Sequence, residues 1–379
     1  MNIIWLTKLT DSDLFRTTQL GLSEALRRRG HEVTIIFARH FTEKKQSRKN
    51  IIYLPIIDSP ILSGIIYGII IFLYLPVILK KRKVDFVIVC GDTIWSPFLI
   101  TSRLFHTPMI LDIRSLPIDK ERSILADVSL HLSKYLVDGF TTITLELAEI
   151  LKNKYHLQDK KIGIWSSGFS KEKFIKSKTH ENTMKNINPN MFLLLCHGTY
   201  SPTRGIENLI RSIAKLDNDS KRNIKLQLIG IPQNKIKDLI MLCEEFNVAE
   251  QIEIIPPVDN NKIPQYIQSC DVGIIPLPPN NEWWRVSVPL KTLEYLAMGK
   301  PIIATNIPFH QKIFNIHECG ILLKTNNPDD IANAIMFLYN NKEKLIDMGQ
   351  KGKEIVEKYY TWDHIALDLE QFLSNIQTS

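Results

Sequence analysis

Short apolar runs alternate with helical patterns through the first half of the chain. The apolar runs predict buried strands at residues 2–7, 32–37, 50–54, 85–90, 108–113, 137–144 and 161–165. A helical period follows the first run, ends at Gly30, and further helices are predicted between the later strands. Because strands that alternate with helices form parallel sheets covered on both faces, this half is predicted to be a doubly wound α/β domain.

The second half repeats the alternation after a polar stretch, residues 170–190, which is the best candidate for a linker. Strands are predicted at 191–196, 224–229, 252–255, 272–275 and 301–304, and helices at 206–216, 235–246, 263–269 and from residue 287. A last helix with apolar residues on one face covers residues 361–376. The two halves share this pattern without sharing a sequence repeat. We therefore expect two similar doubly wound domains with a cleft between them.

The stretch with the most chemical content is residues 287–305, SVPLKTLEYLAMGKPIIAT. The first turn of a helix has unpaired backbone N–H groups and a partial positive charge, so it can hold a phosphate. Lys291 and Glu294 are three positions apart and share one face of that helix. The lysine can neutralise a pyrophosphate, and the carboxylate can accept hydrogen bonds from a ribose diol. The pattern fits a nucleotide-sugar site, and it equally fits an amphipathic helix with an exposed ion pair.

Composition indicates a globular protein of more than one domain. The chain has 379 residues, of which 44% are hydrophobic and 23% charged, and its net charge is +7. Much of this charge lies in residues 80–83 and 171–178, which suit anionic lipid, a phosphorylated substrate or nucleic acid. The sequence has no zinc-ligand spacing, RNA-binding signature or helix-turn-helix pattern. Nucleic acid is therefore the least favoured of the three partners.

The cysteines and the N-terminal residues indicate the cellular compartment in which the protein acts. The five cysteines are scattered and contain no C-x-x-C pair, and Cys90 and Cys196 close apolar runs. They are predicted to be buried thiols in a reducing compartment. Residues 1–6 have no basic n-region, so no signal peptide is predicted. We expect the protein to act on the cytoplasmic side.

One apolar segment, Pro60–Leu79, has the length and the flanking charges of a membrane span. It contains no charged residue and is followed at once by Lys80-Lys81-Arg82-Lys83. Pro76 and two glycines interrupt it, however, and a span would separate the strand at 85–90 from the first strand of the same sheet. A buried or interfacial helix is therefore favoured. Its functional form is docking of the apolar surface and the basic run onto anionic lipid.

Six motifs together make the chain resemble the retaining GT-B glycosyltransferases of family four. In chain order they are GLSEALRRRGHEVTII (21–36), IWSSGFSKEKF (164–174), HGTYSPTRGIENLI (197–210), CDVGIIPL (270–277), SVPLKTLEYLAMGKPIIAT (287–305) and YTWDHIA (360–366). Each motif is weak alone, whereas their order and spacing agree with the family over nearly the whole chain. The resemblance implies two Rossmann-like domains that face a cleft, with the C-terminal helix crossing back to the first domain. These would be an acceptor-side domain, residues 1–175 with 360–379, and a donor-binding domain, residues 190–359.

The resemblance also implies the donor-site residues. Arg204 matches a basic residue that contacts the donor pyrophosphate, Glu294 matches the glutamate that binds ribose, and Lys291 matches a lysine found in P-x-K-x-x-E members. These three are the expected catalytic residues. Glycines at 198 and 205 let the backbone approach a ligand, and a guanidinium binds phosphate in bidentate fashion, although a charged surface loop is the alternative. The full set of expected donor-binding residues is Gly198, Thr199, Arg204, Ser287, Leu290, Lys291 and Glu294.

The chain departs from the family pattern on both sides. Val286 stands where the first of two glutamates is expected, so Glu282 or Arg285 is a candidate contact to the donor sugar. Thr199 replaces an arginine that often follows the loop glycine. On the acceptor side, residues 7–13 replace a glycine-rich turn, and Arg114-Ser115-Leu116-Pro117 keeps only the Arg and Pro of an R-D-x-x-P segment. The acceptor-side candidates are Asp13, Arg16 and Arg114.

The implied reaction moves a sugar from a nucleoside diphosphate to an acceptor hydroxyl with retention at the anomeric carbon. Arg204, Lys291 and the helix N-terminus near residues 287–290 would stabilise the leaving diphosphate. We expect no metal and no cofactor, because the D-x-D at residues 11–13 lies on the acceptor side and no His/Cys cluster has ligand spacing. Four histidines, His106, His131, His197 and His310, are expected to be structural.

The expected setting is surface polysaccharide or glycolipid synthesis, at the inner face of the cell membrane. The partners would be a nucleotide sugar, a glycan or polyprenyl-linked acceptor and an anionic membrane surface. Two alternatives share the fold: a sugar-nucleotide epimerase, which needs carboxylates as acid and base, and a non-catalytic scaffold in a polysaccharide assembly complex. The sequence leaves the donor base, the donor sugar, the acceptor and the oligomeric state open.

Overall fold

The computed structural model describes residues 1–10, 16–40, 49–57, 62–91, 104–116, 120–170 and 190–377, with the backbone alone at residues 16, 62–65 and 120–126. The chain divides into two compact units. Unit 1 comprises Met1–Gly168 and Trp362–Ser379, and unit 2 comprises Phe169–Thr361. The predicted linker lies outside the described residues except for its two end residues.

Unit 1 is built on one parallel sheet of seven strands. They are β1 (Asn2–Leu6), β2 (Glu32–His40), β3 (Ile51–Ile56), β4 (Phe86–Cys90), β5 (Met109–Ile113), β6 (Gly139–Thr142) and β7 (Lys161–Ile164). Their spatial order is β3-β2-β1-β4-β5-β6-β7, so the direction of winding reverses between β1 and β4. Every residue of β4, β5 and β6 is buried, as expected for central strands of a sheet covered on both faces.

Among the described residues, four helices connect these strands, and a fifth closes the unit. They are α1 (Arg16–Arg28), α2 (Leu62–Lys81), α3 (Lys120–Leu136), α4 (Leu145–Tyr155) and α14 (Trp362–Gln377). The helix predicted between β3 and β4 is therefore α2, whereas the one predicted between β4 and β5 falls on residues outside the described ranges. Right-handed crossovers place α2 and α3 on one face of the sheet and α1 on the other.

The last helix, α14, packs on unit 1 because two glycines leave room for it. A Cβ on Gly21 of α1 would lie 2.4 Å from the indole nitrogen of Trp362, and one on Gly163 of β7 would lie 2.5 Å from the ring of Phe372. Trp362 and four further apolar residues of α14 are buried with the side chains of β1 and α1 in one core. The C-terminal segment thus completes the core of the unit in which the chain begins.

Unit 2 is built on a parallel sheet of six strands. They are β8 (Phe192–His197), β9 (Ile224–Ile229), β10 (Ile252–Ile255), β11 (Val272–Ile275), β12 (Ile302–Thr305) and β13 (Gly320–Leu323). Their order is β10-β9-β8-β11-β12-β13, so the switch in winding lies between β8 and β11. In open sheets of this kind, ligands bind outside the carboxyl ends of the strands at the switch point.

The helices of unit 2 cover this sheet. They are α5 (Ile206–Ala214), α6 (Asn218–Lys221), α7 (Gln233–Glu245), α8 (Ile263–Ser269), α9 (Glu282–Arg285), α10 (Leu290–Ala297), α11 (Pro308–Phe314), α12 (Pro328–Asn340) and α13 (Leu345–Tyr359). Side chains of β8, β9, α5 and α12 contribute to a hydrophobic core cluster of the unit. The predicted fold class, two Rossmann-like parallel-sheet domains, is confirmed. The sequence did not predict β13 or the helices α6, α9 and α11 to α13.

Three further findings bear on the sequence predictions. The five cysteines are free thiols and all are buried, as predicted. Within the described ranges, no helix is long and apolar enough to cross a membrane. In the same part of the chain, no group of three or more His, Cys, Asp or Glu side chains is arranged to hold a metal ion.

Candidate functional site

The candidate site lies at the carboxyl edge of the sheet of unit 2, beside the switch point. Strand β8 ends at His197, and Gly198 follows it with a φ of 118°, a conformation that L side chains rarely adopt. A Cβ built on Gly198 would lie 3.5 Å from Nζ of Lys291 and 3.6 Å from Nη1 of Arg204. The backbone after β8 is therefore approached by two cationic side chains from different elements.

Arg204 is positioned by a short 3₁₀ turn, Pro202–Arg204. The hydroxyl oxygen of Ser201 accepts from the backbone N–H of Thr203, and Gly205 ends the turn with a φ of 73°. A Cβ on Gly205 would lie 2.0 Å from the carbonyl oxygen of Pro276, so the chain can pass there only as glycine. The loop that carries Arg204 is thereby pressed against the segment that follows β11.

Trp284 of α9 holds this loop from the other side. Its indole N–H donates to the carbonyl oxygen of Thr203 at 2.7 Å, and the guanidinium carbon of Arg204 lies 5.1 Å from the centre of its ring. An arginine over an indole face gains a cation–π attraction that also restricts its rotamers. Burial lowers the pKa of Arg204 from its usual value. Trp284 thus fixes a desolvated cation next to Gly198.

Helix α10 supplies Lys291 in its first turn. The helix begins after Pro289 without a side-chain cap, so the first backbone N–H groups lie where a ligand can use them. Burial lowers the pKa of Lys291, and the charge of Arg204 lowers it further, while Cys196 and Glu294 act in the opposite direction. The charged forms of these two neighbouring cations are both disfavoured. A bound anion would therefore stabilise them.

Glu294 lies one turn after Lys291 and faces His197. Its Oε2 is 3.4 Å from Nε2 of His197. The histidine is buried, and burial together with Lys291 and Arg204 lowers its pKa to about 3. The imidazole is therefore neutral near pH 7, and its contact with Glu294 is not an ion pair. The carboxylate of Glu294 remains partly exposed.

Buried hydrogen bonds fix α10 to the sheet. The hydroxyl of Tyr295 donates to the carbonyl oxygen of Leu195 at 2.8 Å. On the other side of the helix, Thr292 Oγ1 is 2.9 Å from Nε2 of His310, whose Nδ1 lies 2.7 Å from the carbonyl oxygen of Thr305. Burial lowers the pKa of His310 to about 4, so this ring is a neutral bridge inside the protein. Lys291 and Glu294 therefore project from a rigid support.

The structure brings four of the predicted donor residues together, namely Gly198, Arg204, Lys291 and Glu294. Leu290 is the first residue of α10, and the hydroxyl of Ser287 donates to the carbonyl oxygen of Trp283. Thr199 lies exposed in the loop that follows Gly198. The roles of all seven residues in donor binding stay predictions.

The positions suggested for the donor sugar differ in exposure. Val286, which replaces the expected glutamate, is buried, whereas Glu282 and Arg285 of α9 are exposed. Either charged side chain stays a candidate for the sugar contact.

Of the acceptor-side candidates, Arg114 is the one whose side chain the structure describes. Asp13 lies outside the described residues, and Arg16 begins α1 with its backbone alone described. Arg114 follows β5 and packs its guanidinium carbon 3.5 Å from the ring centre of Trp165, to whose carbonyl oxygen it donates at 2.7 Å.

Asp112 lies next to Arg114 and is fully buried. The hydroxyl of Thr141 donates to its Oδ1 at 2.8 Å, while its Oδ2 has no hydrogen-bond partner among the described residues. Burial raises the pKa of Asp112 to about 6, despite Arg114 and the hydrogen bond. Burial also lowers the pKa of Arg114 to about 10. Unit 1 therefore holds, at the carboxyl end of β5, two ionisable groups whose charged forms are disfavoured by burial.

Two residues of the site were missed at the sequence level. Trp284 belongs to a helix of four residues, too short to show a period, although its position after β11 and the adjacent Trp283 were visible. His197 was assigned a structural role, because the sequence pairs it with no partner. Its position directly before Gly198 was the available signal.

Two family profiles match the chain and together span most of it. "Glycosyltransferase Family 4" matches residues 17–173, and "Glycosyl transferases group 1" matches residues 177–355. The division between the two matches falls in the stretch that separates the two halves of the sequence.

Three curated relatives share 22–24% identity with the chain. An uncharacterized glycosyltransferase of Methanocaldococcus jannaschii is 24% identical over 91% of this chain and 90% of its own. A D-inositol 3-phosphate glycosyltransferase of Paenarthrobacter aurescens is 23% identical over 62% and 58%. A GDP-mannose-dependent alpha-(1-6)-phosphatidylinositol monomannoside mannosyltransferase of Mycobacterium tuberculosis is 22% identical over 48% and 46%.

Solved structures share the fold at low sequence identity. Sucrose-phosphate synthase from Thermosynechococcus elongatus has a TM-score of 0.78 at 14% identity, covering 100% of this chain and 99% of its own. Anabaena HepE in complex with UDP has a TM-score of 0.74 at 13% identity, covering 99% and 100%. These likenesses confirm the architecture of both units.

Proposed function

Because the chain belongs to the family 4 glycosyltransferases of the GT-B fold, we propose that it moves a sugar from a nucleoside diphosphate sugar to a hydroxyl of a glycan or lipid-linked acceptor. The chain is a transferase enzyme, and the proposal concerns its donor, its acceptor and its stereochemistry. The observation that carries the proposal is the approach of Lys291 and Arg204 to Gly198 at the switch point of unit 2.

In this proposal the two cations bind the diphosphate of the donor. As the glycosidic bond breaks, negative charge grows on the leaving diphosphate, and prearranged cations stabilise that charge without reorganisation. Arg204 is held by Trp284 and Lys291 by α10, so both can act in this way. We propose that these side chains and the N-terminus of α10 do the work without a metal ion or cofactor, and that the sugar is transferred with retention.

Glu294 binds the ribose of the donor in this proposal. A carboxylate accepts two hydrogen bonds from a vicinal diol, and Glu294 lies one helical turn beyond the lysine proposed for the phosphates. Support comes from the partial exposure of Glu294, which lies beside the buried His197 and Tyr295. At the sugar end, the buried Val286 offers no polar group, and Glu282 or Arg285 would make the contact.

For the acceptor we propose a phosphorylated or lipid-linked glycan, bound to unit 1 with Arg114 as a phosphate contact. The descriptions of two relatives name inositol 3-phosphate and a phosphatidylinositol mannoside, which supports an acceptor of this class. A setting in surface polysaccharide or glycolipid synthesis follows from such an acceptor. An epimerase and a non-catalytic scaffold are not favoured, because the family profiles and these relatives are described as glycosyltransferases.

We also propose that unit 1 docks on an anionic membrane from the cytoplasmic side. Ile69, Phe72, Leu73 and Val77 of α2 are exposed and share one helix face, and the exposed Lys80-Lys81-Arg82-Lys83 run follows. Val128, Leu132 and Tyr135 form a second exposed apolar row on α3, on the same side of the sheet. Apolar area combined with basic charge is the composition that binds anionic lipid surfaces.

Turnover of nucleotide sugars tests the enzymatic proposal. UDP-glucose and GDP-mannose are offered with a lipid extract as acceptor, and the anomeric configuration of the product is read by NMR. Glu294→Ala should abolish transfer while the protein keeps its melting temperature. Full activity of this variant would contradict the site, and inversion of the anomeric centre would contradict retention.

Sedimentation with lipid vesicles tests the membrane proposal. The wild type should sediment with phosphatidylcholine vesicles that contain phosphatidylglycerol, and Leu73→Ser with Val77→Ser should release it. Ile240→Ser with Met241→Ser, at exposed apolar positions of unit 2, is the matched control and should sediment like the wild type. A wild type that stays in the supernatant with these vesicles would refute the proposal.

A further inference from the structure

His197 and Glu294 come from different elements and face each other at the candidate donor site. His197 is the last residue of β8, and Glu294 lies in the middle of α10. Nε2 of His197 is 3.4 Å from Oε2 of Glu294 and has no hydrogen-bond partner among the described residues. A buried ring nitrogen without a hydrogen-bond partner lowers the free energy of unfolding. Its position beside a carboxylate therefore indicates a functional role.

The imidazole is held in place by the residue that follows Glu294. The backbone N–H of His197 donates to the hydroxyl of Tyr295 at 3.3 Å, and the two rings stand edge to face with centres 4.9 Å apart. Tyr295 in turn donates to the carbonyl oxygen of Leu195. Strand β8 and helix α10 are thus locked together where His197 and Glu294 meet. Rotation of the imidazole away from Glu294 would break its edge-to-face contact with Tyr295.

The charges around His197 restrict what it can do. Lys291 and Arg204 lie close enough to hold the ring neutral, in addition to burial. A neutral imidazole has one N–H group and one nitrogen acceptor, and a carboxylate neighbour favours the N–H at Nε2. The ring is therefore suited to donate one hydrogen bond and unsuited to act as a general base near pH 7.

A hydrogen bond from His197 would oppose the attraction of Glu294 to another of its neighbours, Lys291. Lys291 lies three positions earlier on the same helix face, and its ammonium attracts the carboxylate. A carboxylate drawn to Lys291 would leave the ribose and would neutralise a cation that the diphosphate needs. A hydrogen bond from His197, on the opposite side, would leave Glu294 to bind the ribose and Lys291 to bind the diphosphate.

We propose that His197 is a positioning residue for the ribose-binding carboxylate, donating from Nε2 to Oε2 of Glu294 and leaving Oε1 to accept from the ribose hydroxyls. This inference rests on the proposed function, in which Glu294 binds ribose. It predicts that removing the donor weakens recognition of the diol specifically. Contacts to the diphosphate should change little.

Calorimetric titration with UDP and GDP, and with their 2′,3′-dideoxy forms, tests the inference. His197→Leu should weaken binding of the ribose forms about tenfold, the loss expected for a hydrogen bond to a charged group, and should leave the dideoxy forms within about twofold. His197→Gln, whose amide can reach the position of Nε2, should recover most of the loss. His131→Leu is the matched control, since it removes a histidine whose ring likewise stands edge to face on a tyrosine, Tyr155 of unit 1. Its ratio of ribose to dideoxy affinity should equal that of the wild type.

Each other outcome has a definite meaning. Equal weakening of ribose and dideoxy forms by His197→Leu would overturn the inference and assign the ring a packing role. A His197→Gln variant no better than His197→Leu would also overturn it. If His197→Leu does not fold, His197→Asn, whose amide is too short to reach Nε2, is compared with His197→Gln in the same way. A wild type that binds ribose and dideoxy forms equally would instead contradict the proposed role of Glu294 itself.

Discussion

Arg204 lies over the indole of Trp284, with 5.1 Å between its guanidinium carbon and the centre of the ring. The same indole donates a hydrogen bond to the carbonyl oxygen of Thr203, the residue before Arg204. One aromatic side chain from the segment after β11 therefore fixes both the backbone and the charge of the loop after β8. This relationship joins the two loops that flank the switch point of unit 2.

Replacing Trp284 should loosen Arg204 and weaken binding of the diphosphate. Trp284→Leu removes the ring and the N–H, and we expect UDP or GDP to bind about three- to thirtyfold more weakly, the range of a cation–π contact from exposed to desolvated. Trp284→Phe keeps an aromatic ring and should lose less affinity for UDP or GDP. Titration calorimetry measures both, with Trp283→Leu as the neighbouring control. Equal affinities for wild type and Trp284→Leu would refute this role.

Gly205 should tolerate no side chain. It has a φ of 73°, and its Cβ would lie 2.0 Å from the carbonyl oxygen of Pro276. Gly299 is the matched control, because it has a φ of 70° and nothing within 4 Å of its Cβ. Gly299→Ala should cost about 1–2 kcal/mol from backbone strain alone. Gly205→Ala should lower the melting temperature clearly more, since strain and clash combine. Equal shifts in a thermal melt would mean that the loop has room to move.

Asp112 should make the stability of unit 1 depend on pH. Its pKa of about 6 in the folded protein exceeds the usual 3.8, so the native state binds more protons between these values and loses stability as pH rises through them. Asp112→Asn lacks this titration. The variant should match the wild type near pH 4 and exceed its free energy of unfolding by up to about 3 kcal/mol near pH 7. Urea denaturation at several pH values measures the difference, and a difference that does not vary with pH would contradict the prediction.

The fold was predictable because its signals are local. Strands such as β4 are buried on both faces, so they read as continuous apolar runs, and Gly30 marks the end of a helix in the sequence. Strand β13 is only four residues long and not fully buried, and its run gives no clear signal among the helices around it. Length and burial alone did not decide which elements the sequence revealed, because β7 and β10 are as short and no more buried, and they were predicted.

The site was predictable only in part because its contacts are distant in sequence. Lys291 and Glu294 share a helix face, which spacing alone indicates. His197 and Tyr295 are 98 positions apart and meet because β8 lies beneath α10, which no local pattern encodes. The stack of Arg204 on Trp284 likewise depends on how two loops fold against each other.

The most direct test of the donor site is calorimetric titration of UDP and GDP, with uridine and guanosine as controls, into the wild type, Arg204→Ala and Lys291→Ala. The wild type should bind either UDP or GDP with much higher affinity than it binds the corresponding nucleoside. Each variant should lose about tenfold or more in diphosphate affinity, the loss expected for a charge-assisted contact, and little in nucleoside affinity. A wild type that binds neither diphosphate, or variants that bind it as tightly as the wild type does, would contradict a donor site built on Arg204 and Lys291.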